Sequence, residues 1–224
     1  MSYMATAPNP DKLALLRFGA HVRRKLDADP QVVRIDTERA EIWAFPGFLN
    51  DAECAQLMEM VDRTAVPSEV LDHGVEEVWR TSSSGNVDRH DPFITAVEGR
   101  IDALLGVPGE YGETMQGQRY EAGQEFKFHL DLFWTQAEYW KEEARRGGQR
   151  SFTAMAYLNE VDEGGTTDFT QIGISIPPQK GMLLIWNNSK PDGTPNGDTM
   201  HAGMPVIRGT KYVLTKWYRT RKWG

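Results

Sequence analysis

Apolar positions recur at helical spacing through the first half of the chain and at strand spacing through most of the second. In residues 11–26, DKLALLRFGAHVRRKL, the positions of Leu13, Leu16, Ala20 and Leu26 predict a basic amphipathic helix with these four roughly on one side. Asp11 and Asp27 bracket it, which favours a helix that packs on the protein or on a second copy over an organelle presequence. EIWAFPGFLNDAECAQLMEMVD reads as a short strand, a turn, and a helix opened by Asn50 with Glu53 three residues on as a capping box. Cys54, Leu57, Met58 and Val61 then share a face, so Cys54 reads as a core thiol. Residues 66–90 are polar and loop-like around TSSSGN. A further helix starts from Asp91 as cap and Pro92 at its first position, with Ile94, Val97, Ile101, Leu104 and Leu105 spaced to bury one face.

After Gly112 come short strand-like segments: GQRY, FKFHLDLF, SFTAMAYLN, GISI, GMLLIW and KYVLTKWYR. Turn-forming stretches such as DEGG, IPPQKG and NSKPDGTPNGD separate them, a rhythm of an all-β sandwich or barrel and not of βαβ units. AGMPVIRGTKYVLTKW reads as two antiparallel strands joined near Gly209, and residues 135–150 as a charged insertion with a helical centre. At 224 residues the chain fits one well-cored domain, and no apolar stretch is long enough to cross a bilayer. A formal charge of −7 argues against a broad nucleic-acid surface. The first residues lack a leader pattern, which leaves a cytoplasmic location as the default expectation.

Cys54 is the only cysteine, so a metal site would use histidines and carboxylates. In HLD at 129–131, strand alternation would aim His129 and Asp131 at one point and turn Leu130 away. The third ligand has four candidates, His21, His73, His90 and His201; His201 is favoured because it follows a Gly-rich loop and directly precedes the last strands. Two histidines and one carboxylate leave open coordination positions, the facial set of non-haem iron(II) enzymes that activate oxygen. H-x-D alone recurs by chance. Its neighbourhood adds weight, because alternation puts Lys211, Val213, Thr215 and Trp217 on one strand face. A lysine aimed into a barrel needs an anion, either one of the chain's own carboxylates or a bound dicarboxylate.

From about residue 41 to the C-terminus the chain resembles the prolyl 4-hydroxylase branch of the 2-oxoglutarate oxygenases. The resemblance is carried, in order, by FLNDAEC, RTSSSG, QRYEAGQEFKFHLDLF, GGQRSFTAMAYLNEVDEGGTTDF and DGTPNGDTMHAGMPVIRGTKYVLTKWYR. It implies a mainly β fold with supporting helices, a double-stranded β-helix or jelly roll. Residues 1–40 then form an N-terminal helical extension and residues 41–224 the oxygenase domain. It implies further that His129, Asp131 and His201 hold iron(II) and that Lys211 pairs with the distal carboxylate of 2-oxoglutarate. Tyr120 and Tyr157 match positions that line or hydrogen-bond this co-substrate, and Trp217 a position near the pocket wall. Oxygen is the other co-substrate, and ascorbate a candidate auxiliary reductant. The family usually continues GG-x-T-x-F with proline; this chain has Thr170 there.

The implied reaction hydroxylates a C–H bond while 2-oxoglutarate becomes succinate and carbon dioxide. A proline in a peptide or protein is the first substrate expectation, and a free amino acid or other small metabolite the second. A silent jelly-roll binding module and a cupin-like zinc or manganese protein are the rivals from other classes. The loops at 66–90 and 135–150 are expected to border the substrate. Glu69, Asp72, Glu76 and Glu77 would suit a basic peptide, with a merely solvated loop as the plainer alternative. Neither nucleic acid nor membrane is an expected partner, and the oligomeric state is open.

Overall fold

Side-chain alternation along three long strands decides the architecture, turning one set of residues toward helices and the other toward a second sheet. The computed structural model describes residues 9–68 and 80–224. In chain order, α1 (Lys12–Ala28) is followed by β1 (Val33–Arg34), β2 (Ile42–Phe45), α2 (Asp51–Thr64), β3 (Val66–Pro67), β4 (Ser83–Asn86) and α3 (Pro92–Leu105). Next come β5 (Gln116–Tyr120), β6 (Phe126–His129), α4 (Trp140–Arg146), β7 (Arg150–Tyr157), β8 (Glu163–Gly164) and β9 (Thr167–Phe169). The last strands are β10 (Ile174–Ile176), β11 (Leu183–Asn187), β12 (His201–Gly203), β13 (Val206–Arg208) and β14 (Lys211–Arg219).

An eight-stranded sheet runs β1-β2-β11-β7-β14-β5-β4-β3, and a four-stranded sheet runs β10-β9-β12-β6. From one face of the large sheet, Trp43, Phe152, Ile185, Leu214 and Tyr218 are buried with Leu57 and Val61 of α2 and Val97 and Ile101 of α3. From the other face, Met155, Tyr157, Leu184, Trp186 and Val213 gather with Phe169 and Ile176 of the small sheet. Two sheets closing on such an interior make the double-stranded β-helix. Close approach is needed where α2 crosses β5: a Cβ at Gly117 would overlap the Val61 side chain, so glycine is what lets the helix lie there.

The capping box closes as expected. Asn50 Oδ1 accepts from Glu53 N and Glu53 Oε2 accepts from Asn50 N, each at 2.9 Å. Asn50→Ala is expected to lower stability by about 1 kcal/mol, read as a lower urea midpoint at unchanged m-value. An unmoved midpoint would show that the cap carries no weight.

Three expectations change. In α1 the buried stripe is Leu15, Gly19, Val22 and Leu26, while Leu13 is 68% exposed. The helix meets the sheet through a small residue: a Cβ at Gly19 would come within 3.1 Å of Asn187 Nδ2, so contact follows size as well as hydrophobicity. The polar stretch at 81–86 is not simply loop, since Ser83–Asn86 form β4, paired with β5. Its strand character comes from backbone partners far along the chain, which side-chain polarity does not reveal. The hairpin near Gly209 does not form either, because β13 pairs with β8 whereas β14 pairs with β5 and β7. Gly209, at φ 93°, turns the chain from one sheet to another. The insertion at 135–150 has the expected helical centre in α4. Glu69, Asp72, Glu76 and Glu77 lie outside the described residues.

Candidate active site

β6 and β12 pair antiparallel in a register that sets His129 opposite His201. Their ring centroids are 4.3 Å apart. His129 Nδ1 lies 2.8 Å from Lys127 O, and His201 Nδ1 lies 3.0 Å from Thr199 O. A carbonyl only accepts, so both Nδ1 atoms carry a hydrogen and both Nε2 lone pairs are left for a cation. β6 ends at His129, and Asp131 occupies the bend beyond it, so strand alternation does not place this carboxylate. The bend still sets Asp131 Oδ1 3.9 Å from His129 Nε2 and Oδ2 3.9 Å from His201 Nε2. One donor atom from each of the three lies within 4.8 Å of the others, the one such group among the described residues. His21 and His90 are outside it, and His73 lies outside the described residues.

Burial pushes the pKa of His129 down to about 3, His201 acting in the same direction and Asp131 against it. Burial also opposes ionisation of Asp131, but His201, His129, the Arg150 guanidinium and the Thr153 hydroxyl together hold its carboxyl below the usual range. Neutral imidazole and ionised carboxylate are the forms that bind metal. Phe126 stacks on His129 at 3.6 Å between centroids, and Trp186 meets His201 edge-on at 4.8 Å.

Lys211, opposite Tyr120 in the β14–β5 register, is 2% exposed and has no ion pair among the described residues. Its Nζ lies 5.5 Å and 5.6 Å from the ring centroids of Tyr120 and Tyr157. Burial pushes its pKa down to about 7, with Asp168 opposing. Lys216, on the other face of the same strand, is also buried but donates to Asp102 Oδ1 at 2.8 Å. One lysine is therefore neutralised by the chain, and the other awaits an anion.

His129, Asp131, His201, Lys211, Tyr120 and Trp217 all line one cavity. Tyr157 does not border it: its hydroxyl donates to Thr167 Oγ1 at 2.7 Å, and burial raises its pKa, so it stays neutral. It meets the site through the ring facing Lys211 and through Thr167, which is on the wall. Thr153, Gln118, Thr167 and Trp186 also line the cavity, and none of them stands out in the sequence as a site residue. Thr153 and Gln118 carry only a weak signal, since each is a polar residue on an inward strand face that holds another polar residue, Ser151 on β7 and Gln116 on β5. Three donors in metal-binding form beside a buried ammonium with no ion pair among the described residues fit iron(II) together with a dicarboxylate.

Residues 115–219 match the family model described as 2OG-Fe(II) oxygenase superfamily. Probable prolyl 4-hydroxylase 8 of Arabidopsis thaliana is 31% identical over 206 residues, covering 81% of this chain and 69% of its own. Prolyl 4-hydroxylase 2 of the same plant is 31% identical over 215 residues, covering 84% and 70%. This chain belongs to the prolyl 4-hydroxylase family of 2OG-Fe(II) oxygenases. As a member, it is a 2-oxoglutarate-dependent dioxygenase whose cofactor is iron(II). A viral collagen prolyl hydroxylase of Paramecium Bursaria Chlorella virus-1, solved with 2-oxoglutarate, shares the fold with TM-score 0.61 and 24% identity, covering 86% of this chain and 97% of that one. A prolyl hydroxylase of Trichoplax adhaerens, solved with a hypoxia-inducible-factor peptide fragment, superposes with TM-score 0.60 at 15% identity, covering 96% and 94%.

Proposed function

We propose that this family member hydroxylates proline within a peptide or protein, with His129, Asp131 and His201 holding iron(II) and Lys211 anchoring 2-oxoglutarate. The observation that carries the site assignment is the His-Asp-His donor group in one cavity with a buried lysine that has no ion pair among the described residues. Iron(II), when bound, supplies the oxygen-activating chemistry that couples decarboxylation of 2-oxoglutarate to hydroxylation of a C–H bond. The chain's own residues bind, orient and exclude water. With ion and co-substrate bound, Asp131 would offset part of the charge of the ion and Lys211 would pair with a carboxylate of 2-oxoglutarate, whose two negative charges complete the balance. The buried assembly is then neutral, which keeps the desolvation penalty low. Phe126, Met155, Trp186 and Val213 supply apolar wall around these charges, strengthening each contact by lowering the local dielectric. Tyr120, across the strand pair from Lys211, borders the co-substrate end of the cavity.

A peptide substrate is supported by the naming of the relatives and by one exposed aromatic side chain just past the ligand-bearing segment. Trp134, three residues beyond Asp131, is 45% exposed. Proline-containing segments dock against such aromatic surface. With iron(II), 2-oxoglutarate and oxygen, proline-containing peptides are expected to gain one oxygen by mass spectrometry while succinate accumulates in step. Oxidation of free amino acids with peptide prolines untouched would overturn the peptide reading and leave the oxygenase site standing.

A further inference from the structure

We infer that Thr153 and Asn188 form a hydrogen-bond relay that orients the Asp131 carboxylate, making both positioning residues for the metal site. The inference rests on the reading of Asp131 as a metal ligand. Asp131 is in a bend beyond the end of β6, so its backbone belongs to no sheet ladder at that point. Its carboxylate is instead tied across the cavity to the large sheet. Thr153, on the inward face of β7 and fully buried, places Oγ1 2.6 Å from Asp131 Oδ2. Asn188, just past the end of β11 and 1% exposed, places Nδ2 3.0 Å from the same Oγ1.

The direction of the relay follows from what each group can do. An ionised carboxylate only accepts, so the single hydroxyl hydrogen of Thr153 goes to Asp131. Thr153 Oγ1 must then accept, and only the amide nitrogen of Asn188 can donate to it. Turning that amide over would set Oδ1 against the hydroxyl and compete with Asp131 for the one proton. This orientation has a cost: Asn188 Oδ1 is buried without a hydrogen-bond partner among the described residues. A buried acceptor left unpaired is unfavourable, and here it accompanies the placement of the amide donor on Thr153. The backbone holds Asn188 in place, its N–H donating to Ser151 O at 2.9 Å and its carbonyl accepting from Asn196 N at 3.2 Å. The relay therefore runs from β7 and the residue just past β11 to a ligand on a bend outside the sheet ladders. It restricts rotation of the carboxylate, and so the geometry offered to a cation.

The test measures anaerobic binding of cobalt(II) to the metal-free protein, with the visible cobalt spectrum as a report on coordination geometry. Thr153→Val keeps the side-chain shape and removes the hydroxyl; it is expected to weaken cobalt(II) by about tenfold or more and to alter the spectrum. Asn188→Leu is expected to shift both in the same direction by less, and Thr153→Ser, which retains the hydroxyl, to restore the wild-type spectrum. A folded Thr153→Val protein with wild-type affinity and spectrum overturns the relay. Should Thr153→Val not fold by circular dichroism, Asn188→Leu decides: wild-type affinity and spectrum there overturn the relay, and a weakened, altered site supports it. His201→Ala separates the two levels of the argument. If it too binds cobalt(II) as wild type does, the metal-site reading fails; if it alone loses the ion, only the relay fails.

Discussion

Replacing His201 or His129 with alanine is expected to abolish 2-oxoglutarate turnover and leave the purified protein without iron after anaerobic loading and gel filtration. Each imidazole offers a neutral Nε2 whose lone pair is kept free by the Nδ1 contact to a backbone carbonyl. Water replaces such a donor poorly, and the pair sits face to face in a strand register that allows no substitute from a neighbouring residue. The loss should exceed the roughly 10–100-fold that an outer hydrogen-bond partner is worth. Asp131→Ala should be as damaging, since this carboxylate is the only anionic member of the donor group. Full succinate release by any of the three would move the metal elsewhere.

Lys211→Ala should raise the 2-oxoglutarate concentration needed for half-saturation by about 10–100-fold, the equivalent of one charge-assisted contact of about 1.5–3 kcal/mol. Iron affinity should stay near wild type, because Lys211 is not in the donor group. A pH signature accompanies this. Burial lowers the Lys211 pKa to about 7, so in the co-substrate-free protein the ammonium is progressively lost above that pH. A dianion needs the charged form, so 2-oxoglutarate should bind with proton uptake and more weakly as pH rises from 7, whereas Lys211→Ala should lack this dependence. For folding the sign is opposite. The unfolded chain holds the lysine proton up to its ordinary 10.5, and the folded chain releases it near 7. The unfolded state binds more protons in that window, so this group's contribution makes the empty protein more stable as pH climbs through it. Arginine at 211 should not restore binding, because its planar fork differs in shape from the ammonium that the two tyrosines flank. Equal co-substrate affinity and pH dependence in Lys211→Ala and wild type would make Lys211 a structural cation only.

What was legible in the sequence was mostly local. The Asn50–Glu53 box and the Asp91–Pro92 start are short-range hydrogen-bond chemistry, and both form. The apolar face of α3 is likewise a matter of spacing, with Ile94, Val97, Ile101 and Leu105 buried. The α1 face was not legible because its contact line runs through Gly19, which carries no hydrophobic weight. β4 and the fate of β13 depend on which distant strand supplies the hydrogen bonds, and polarity along the chain is silent about that. At the site, alternation brought Lys211 and Trp217 to one wall, as expected for inward residues of β14. Asp131 reaches its partners by a bend past the end of β6 instead of by strand alternation. Asn188 was invisible from the sequence, since its role exists only where the end of β11 passes the inward face of β7 and meets Thr153.

The most direct test of the central claim is an anaerobic absorption titration of the metal-free protein with iron(II) and then 2-oxoglutarate. One iron(II) and one 2-oxoglutarate per chain are expected, with a visible charge-transfer band that grows only when both are present and is absent in His201→Ala. Saturable 2-oxoglutarate binding that ignores iron(II), or a band of wild-type intensity in His201→Ala, would contradict the account.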